Sequence, residues 1–183
     1  MAIGTFDWWE ENGKLEFQQG DVRIYRMDDE TYLFVGPVMY ASTTERRWYG
    51  NNIFPHAKGK CLEIGLGLGV ASKVILANPD ISHLLTIEKN EDVIAAFGRP
   101  LLRHNILHAD VTKWVTELIA WEPMYDFIFV DHYTFEEEEI ELLEWLATAL
   151  KSLLRSGGKM VFWVDENAPE EDIEKIRGLW VLN

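Results

Sequence analysis

A short apolar run that ends in an acid and three alternating glycines, Cys61-Leu62-Glu63-Ile64-Gly65-Leu66-Gly67-Leu68-Gly69, constrains this chain more than any other stretch. Residues 60–64 read as a buried strand, and residues 70–77 carry apolar side chains at helical spacing. Strand, glycine turn and helix in that order form the first unit of a parallel α/β sheet. Glycine permits the tight turn and lets backbone N–H groups approach a ligand, and the helix start behind it is the positive end of a dipole. A dinucleotide fingerprint, GxGxxG, places its last glycine at position 70, where this chain has Val70. With that spacing absent, and carboxylates rather than cations near the turn, a nucleoside ligand without phosphates is favoured over NAD.

The same alternation continues downstream. Strands are predicted at residues 83–87, 105–108, 125–130 and 159–164, and helices at 91–97, 112–120, 135–154 and 169–177. Thr134 and Glu137 make a capping-box pattern before the long helix, and Gly157-Gly158 is expected to end it. Runs such as Phe127-Ile128-Phe129-Val130 are apolar on both faces, as in a parallel sheet covered by helices. Upstream, strand-like runs at 15–18, 22–27, 31–35 and 38–41 are separated by turn residues and predict a small antiparallel lobe. Ser42 or Thr43 would cap a short helix reaching residue 53, and residues 1–13 read as an arm or short helix. The expected fold class is α/β: a Rossmann-like, mostly parallel sheet with helices on both faces, shortened at the C-terminus and preceded by an antiparallel β lobe. Residues 1–55 would form the arm and lobe, and residues 56–183 the core of one compact unit.

Composition narrows the partners. A chain of 183 residues with 48% hydrophobic residues can bury one full core. Its net charge of -14 repels phosphate backbones, so nucleic acid is not an expected partner, whereas small or cationic molecules are. The single cysteine, Cys61, cannot form an internal disulfide. With neither a signal-peptide pattern nor an apolar run of about 18 residues, the expected location is cytoplasmic and away from membranes. His56, His83, His104 and His108 show no metal-ligand spacing, so no metal is expected.

An open parallel sheet binds ligands outside the carboxyl ends of its strands, and acids recur at those positions: Glu63, Glu88, Asp110, Asp131 and Asp165-Glu166. Glu88 lies about 20 residues beyond the glycines, where a carboxylate can accept both hydroxyls of a ribose. Asp110 suits an adenine amino group, with Ile87 and Val111 packing on the ring. Glu63 and Asp131 are expected to flank the mouth of the crevice and hold an ammonium group. Asp131 is also the candidate proton acceptor, with His132 and Tyr133 as alternates. Two blander roles stand beside this one: Asp131 binding the ammonium only, and His132 capping or packing only. Tyr40, Trp48, Tyr49, Tyr133 and Trp163, with Trp8 and Trp9, belong to segments that could roof the crevice. Beside Glu45, Asp165 and Glu166 they would suit a cationic amine.

Residues 60–164 resemble the class I S-adenosylmethionine-dependent methyltransferase superfamily. Glu63-Ile64-Gly65-Leu66-Gly67-Leu68-Gly69 is similar to its cofactor motif, Glu88 to its ribose-binding acid, Asp110 to its adenine-binding acid, and residues 125–131 to its fourth-strand motif. The resemblance implies S-adenosylmethionine, or its decarboxylated form, held by Glu63, Gly65, Gly67, Gly69, Glu88, Lys89, Ala109, Asp110, Val111 and Asp131. Within the superfamily the sequence looks most like the spermidine synthases, through residues 38–49 and Asp110-Val111-Thr112-Lys113-Trp114. That family follows the fourth strand with two acids, of which Asp131-His132-Tyr133-Thr134 keeps the first. The first reading is therefore methyl transfer to a small amine-bearing acceptor bound by Tyr40, Glu45, Trp48, Tyr49, Trp163 and Asp165. The second is aminopropyl transfer from the decarboxylated cofactor, and the third a non-catalytic nucleoside-binding or partner subunit. A homodimer is expected from the lobe and its aromatics.

Overall fold

The computed structural model describes residues 6–118, 122–131, 137–164 and 168–182. Strands β1 (Lys14–Gln19), β2 (Val22–Met27), β3 (Glu30–Val35) and β4 (Val38–Ser42) form an antiparallel sheet in chain order. Period-two alternation gives it two apolar faces. Val22, Leu33 and Ala41 face the rest of the molecule, packing with Leu66 of the glycine turn and with Val93. Tyr25 and Phe34 point the other way and are covered by Trp9, from helix α1 (Phe6–Asn12). Trp9 is thus core on the far side of the lobe and no part of a crevice roof, because odd and even positions of β2 and β3 lie on opposite faces.

Ser42 closes the lobe with a reciprocal capping box to Glu45 around a 3-10 turn at Thr43–Glu45. Helix α2 (Arg46–Asn52) follows directly. The main fold then alternates: β5 (Gly59–Ile64), α3 (Val70–Leu76), β6 (Ile81–Glu88), α4 (Glu91–Phe97), β7 (His104–His108), α5 (Val111–Leu118), β8 (Tyr125–Val130), α6 (Glu137–Lys151), β9 (Leu154–Phe162) and α7 (Glu170–Gly178). The strands pair in parallel in the order β7-β6-β5-β8-β9. Leu62, Ile64, Ile128 and Val130 enter one core with Leu146 and Leu150 of α6, while Cys61, Phe127 and Phe129 enter another with Val70 and Ile75 of α3. The sheet is buried on both faces, as its uninterrupted apolar runs require. Strand order reverses between β5 and β8, which opens a crevice at their carboxyl ends. This is the expected α/β class with its antiparallel N-terminal sheet.

The structure corrects the long helix. It ends at Lys151 rather than near the glycines, and β9 begins at Leu154. Leu153 and Leu154 are buried against the start of β8, where both Met124 and Tyr125 donate N–H bonds to the Leu153 carbonyl. Gly157-Gly158 instead sits in the strand, at the register shift opposite Tyr125 and Phe127, and Gly157 has a φ of 74°. Burying the leucine pair in the sheet outweighs one more helical turn. The proposed cap at Thr134 lies outside the described residues. After α7, Val181 exchanges two backbone hydrogen bonds with Met160, 2.8 and 2.9 Å, in an antiparallel bridge. That bridge is all that the described residues show of a strand beyond β9. No helix among them is long and apolar enough to cross a membrane.

Candidate active site

A cavity of about 520 Å³ lies between the inner face of the antiparallel sheet and the carboxyl ends of the parallel strands. Leu33, Val35, Tyr40 and Ala41 line it from the lobe, and Gly65, Glu88, Ala109, Asp110 and Asp131 from the ends of β5 to β8. The glycine turn forms one wall. Its amides are largely engaged: Gly65 N–H donates to Ile87 O (2.9 Å) and Gly69 N–H to Leu66 O (2.7 Å). Leu66 N–H donates to Glu88 Oε2 at 2.9 Å.

Glu88 sits at the centre. Its other oxygen, Oε1, accepts the Asn90 N–H at 2.8 Å, so two backbone amides fix the carboxylate and leave lone pairs facing the cavity. At one end, Asp110 Oδ1 accepts from the Thr112 hydroxyl (2.6 Å) and the Thr112 N–H (2.9 Å). Those bonds, with Lys113 and Lys89 nearby, hold Asp110 below its ordinary range. Ile87, Val111 and Leu142 supply apolar surface beside it. Asp131 lies at the other end. Its N–H donates to Ile64 O at 2.8 Å, and Gly65 packs so closely on its carbonyl that a Cβ would overlap it. Burial, and next the charge of Glu45, push the Asp131 carboxyl well above the usual carboxylate range. Tyr49 Oη stands 3.0 Å from Asp131 Oδ2 and 2.9 Å from Glu45 Oε2. Burial and the two carboxylates push the Tyr49 hydroxyl up, so it stays protonated. Lys89 is the only lysine or arginine among the described lining residues, and its charge is felt at Asp110.

No family model and no curated protein matches the sequence. Solved structures do. The crystal structure of spermidine synthase from Thermotoga maritima superposes with a TM-score of 0.64 at 19% identity, over 90% of this chain and 60% of that one. Spermidine synthase in complex with the transition state analogue AdoDATO matches with a TM-score of 0.64 at 20% identity, over 91% of this chain and 61% of that one. The fold is shared with spermidine synthase. The chain spans about 60% of the length of each of these proteins.

Within that fold, most of the expected cofactor residues converge: Gly65, Gly67, Glu88, Lys89, Ala109, Asp110, Val111 and Asp131 all line the cavity, and so does Tyr40. Four expectations are corrected. Glu63 is fully buried rather than at the mouth; it alternates with Leu62 and Ile64, so it points under the turn to the Ser72 and Thr86 hydroxyls. Gly69 caps α3 at a φ of 65° and packs on Phe97 instead of facing the cavity. Trp48 packs on Phe129 and edge-on against Trp180, behind the sheet. Trp163 is partly buried in the same core as α3. Tyr49 and Glu45 do not line the cavity; they reach it through Asp131. His132, Tyr133, Asp165 and Glu166 lie outside the residues whose side chains are described.

The sequence reading missed Leu33, Val35 and Ala41, the inner face of the lobe, together with Asn90, Thr112 and Leu142. Two signals were available. Asn90 precedes Glu91-Asp92 as an N-cap, and its side chain accepts from Asp92 and Val93 N–H. Alternation along β3 and β4 marks which side of the lobe is apolar. No group of three or more metal-ligating side chains occurs among the described residues.

Proposed function

We propose that this cavity binds an adenosyl sulfonium and that the chain transfers its alkyl group to an amine, with aminopropyl transfer favoured over methyl transfer. The observation that carries the proposal is the separation of charge along the cavity. Asp110 and Glu88 offer acceptors for an adenine amino group and a ribose. About Asp131 the charged groups felt among the described residues are further acids, Glu45, Glu63 and Glu88. An α-carboxylate placed there would meet carboxylates, and the following residues, 132–136, contain no lysine or arginine. A decarboxylated tail, ending in an ammonium, fits that end. Aminopropyl transfer thus moves ahead of methyl transfer from S-adenosylmethionine, which becomes the second reading. The likeness to spermidine synthase is compatible with either.

A sulfonium-bound carbon is already activated, and its bond to sulfur breaks as a nitrogen lone pair attacks, leaving a neutral thioether. The protein aligns the amine, excludes water under the antiparallel sheet and takes a proton. Asp131 is the group placed to take it. Once a cationic amine is beside Asp131, ionisation becomes favourable, and the carboxylate can accept the amine proton. Calorimetry with methylthioadenosine, S-adenosylmethionine, its decarboxylated form and NAD tests the binding, and mass spectrometry of polyamines incubated with each cofactor tests the transfer. The expected result is tighter binding of the decarboxylated form and a mass gain of one aminopropyl group. Binding of NAD alone, or of nothing, refutes the proposal.

A further inference from the structure

Resting on that reading of the cavity, we infer that Glu45 and Asp131 share one carboxylic proton through the Tyr49 phenol and that the three groups form the route by which the proton of a bound amine leaves. The Tyr49 hydroxyl lies 2.9 Å from Glu45 Oε2 and 3.0 Å from Asp131 Oδ2. A phenol carries one hydrogen and can donate to one acceptor only. Both contacts are hydrogen bonds only if one of the two acids carries a proton and donates it back to the phenol oxygen. Tyr49, 2% exposed, lies between two partly exposed acids, Asp131, which lines the cavity, and Glu45, which does not.

The chemistry needs such an exit. An ammonium and a sulfonium together carry two positive charges; the products are one substituted ammonium, a neutral thioether and one released proton. The bound cation first drives the shared proton out through Glu45 to solvent, which leaves Asp131 ionised, and Asp131 then takes the proton of the amine before the nitrogen attacks. It then passes a proton to the Tyr49 oxygen as Tyr49 passes its own to Glu45, which gives it to solvent. Tyr49 remains a neutral phenol throughout. Of the other described groups felt at Asp131, Glu63 of β5 is fully buried, and Glu88 of β6 is held by two backbone amides at the ribose end of the cavity.

Glu45 has a structural role too, since its carboxylate accepts the Ser42 N–H at 3.4 Å in the capping box. Glutamine serves equally at that position, so Glu45→Gln keeps the turn and the contact with Tyr49 while losing the proton acceptor. Infrared spectroscopy of the ligand-free protein is the first test. Besides the Glu63 carboxyl, which is about half protonated near pH 7, a second carboxylic C=O stretch is expected at neutral pH, absent in Asp131→Asn, displaced in Tyr49→Phe and retained in Glu63→Gln. The second test is turnover of the decarboxylated cofactor with an amine: Glu45→Gln is expected to keep its KM within about twofold, lose about tenfold or more in kcat, and become dependent on buffer concentration. A carboxylic band indifferent to both Asp131→Asn and Tyr49→Phe, or a wild-type rate in Glu45→Gln, overturns the inference. If no adenosyl sulfonium binds, the proposed function falls, while the infrared comparison still decides whether the proton is shared.

Discussion

Gly65 and Glu88 show how single residues hold this site in shape. Gly65 has a φ of 89° and no room for a Cβ beside the Asp131 carbonyl. Gly65→Ala is therefore expected to cost about 1–3 kcal/mol in a denaturant titration and to abolish amine binding through displacement of Asp131. Glu88 receives two backbone N–H bonds, and a glutamine there would turn its own donor against one of them. Glu88→Gln should weaken methylthioadenosine binding by about tenfold or more, read by calorimetry; an unchanged affinity would remove Glu88 from the ribose site. Both residues were legible in the sequence because spacing alone announces them. Tyr49 was not: it was expected among roofing aromatics, and its hydroxyl meets Asp131 only through a contact spanning 82 residues. Glu63 was misplaced although the alternation of Cys61, Leu62, Glu63 and Ile64 already puts it on the face opposite Leu62 and Ile64.

At the scale of elements, β5, β6 and β7 are tied together beneath the turn by a buried polar chain. His104 Nε2 lies 2.8 Å from the Thr86 hydroxyl, which donates to Glu63 Oε2, and Ser72 of α3 donates to the same oxygen. Burial pushes Glu63 up to about 7 from 4.5, and His104 down to about 4 from 6.5. Folding therefore favours the protonated glutamate: its contribution is full below pH 4.5 and is lost as pH rises through about 7. The histidine acts in the opposite sense, with its contribution present above pH 6.5 and lost as pH falls through about 4. The two oppose each other in the weakly acidic range. Glu63→Gln should leave the histidine effect exposed, so that its stability gains on wild type by roughly 2–3 kcal/mol between about pH 5 and about pH 8. A constant difference across that range would show that Glu63 is ionised throughout. The lobe offers a separate test at this scale. Ala41 is the closest neighbour of Gly67, where a Cβ would come within 3.0 Å of its own. Ala41→Leu is expected to fill the cavity and prevent methylthioadenosine binding while secondary structure, followed by circular dichroism, stays intact.

Across the whole molecule, the net charge of -14 draws cations toward the cavity. Association of a polyamine, followed by fluorescence of the 8 tryptophans, should slow as salt rises, whereas that of neutral methylthioadenosine should not. Equal salt dependence would locate the attraction elsewhere than the site. The two-sheet plan was readable from periodicity because parallel strands buried on both faces and antiparallel strands with turn residues leave different local patterns. The way the sheets meet was not readable, since Leu33, Ala41, Leu66 and Val93 come together from four separate segments.

That meeting leaves a hollow where two sheets would otherwise close a core. A ligand in it would touch both, acting as a removable piece of the hydrophobic interior. Melting temperature then becomes an affinity scale, since a molecule that occupies the hollow at about 100 times its Kd adds about 2.7 kcal/mol to the folded state. A thermal-shift screen of nucleosides paired with amines would thus rank acceptors before any product has been detected.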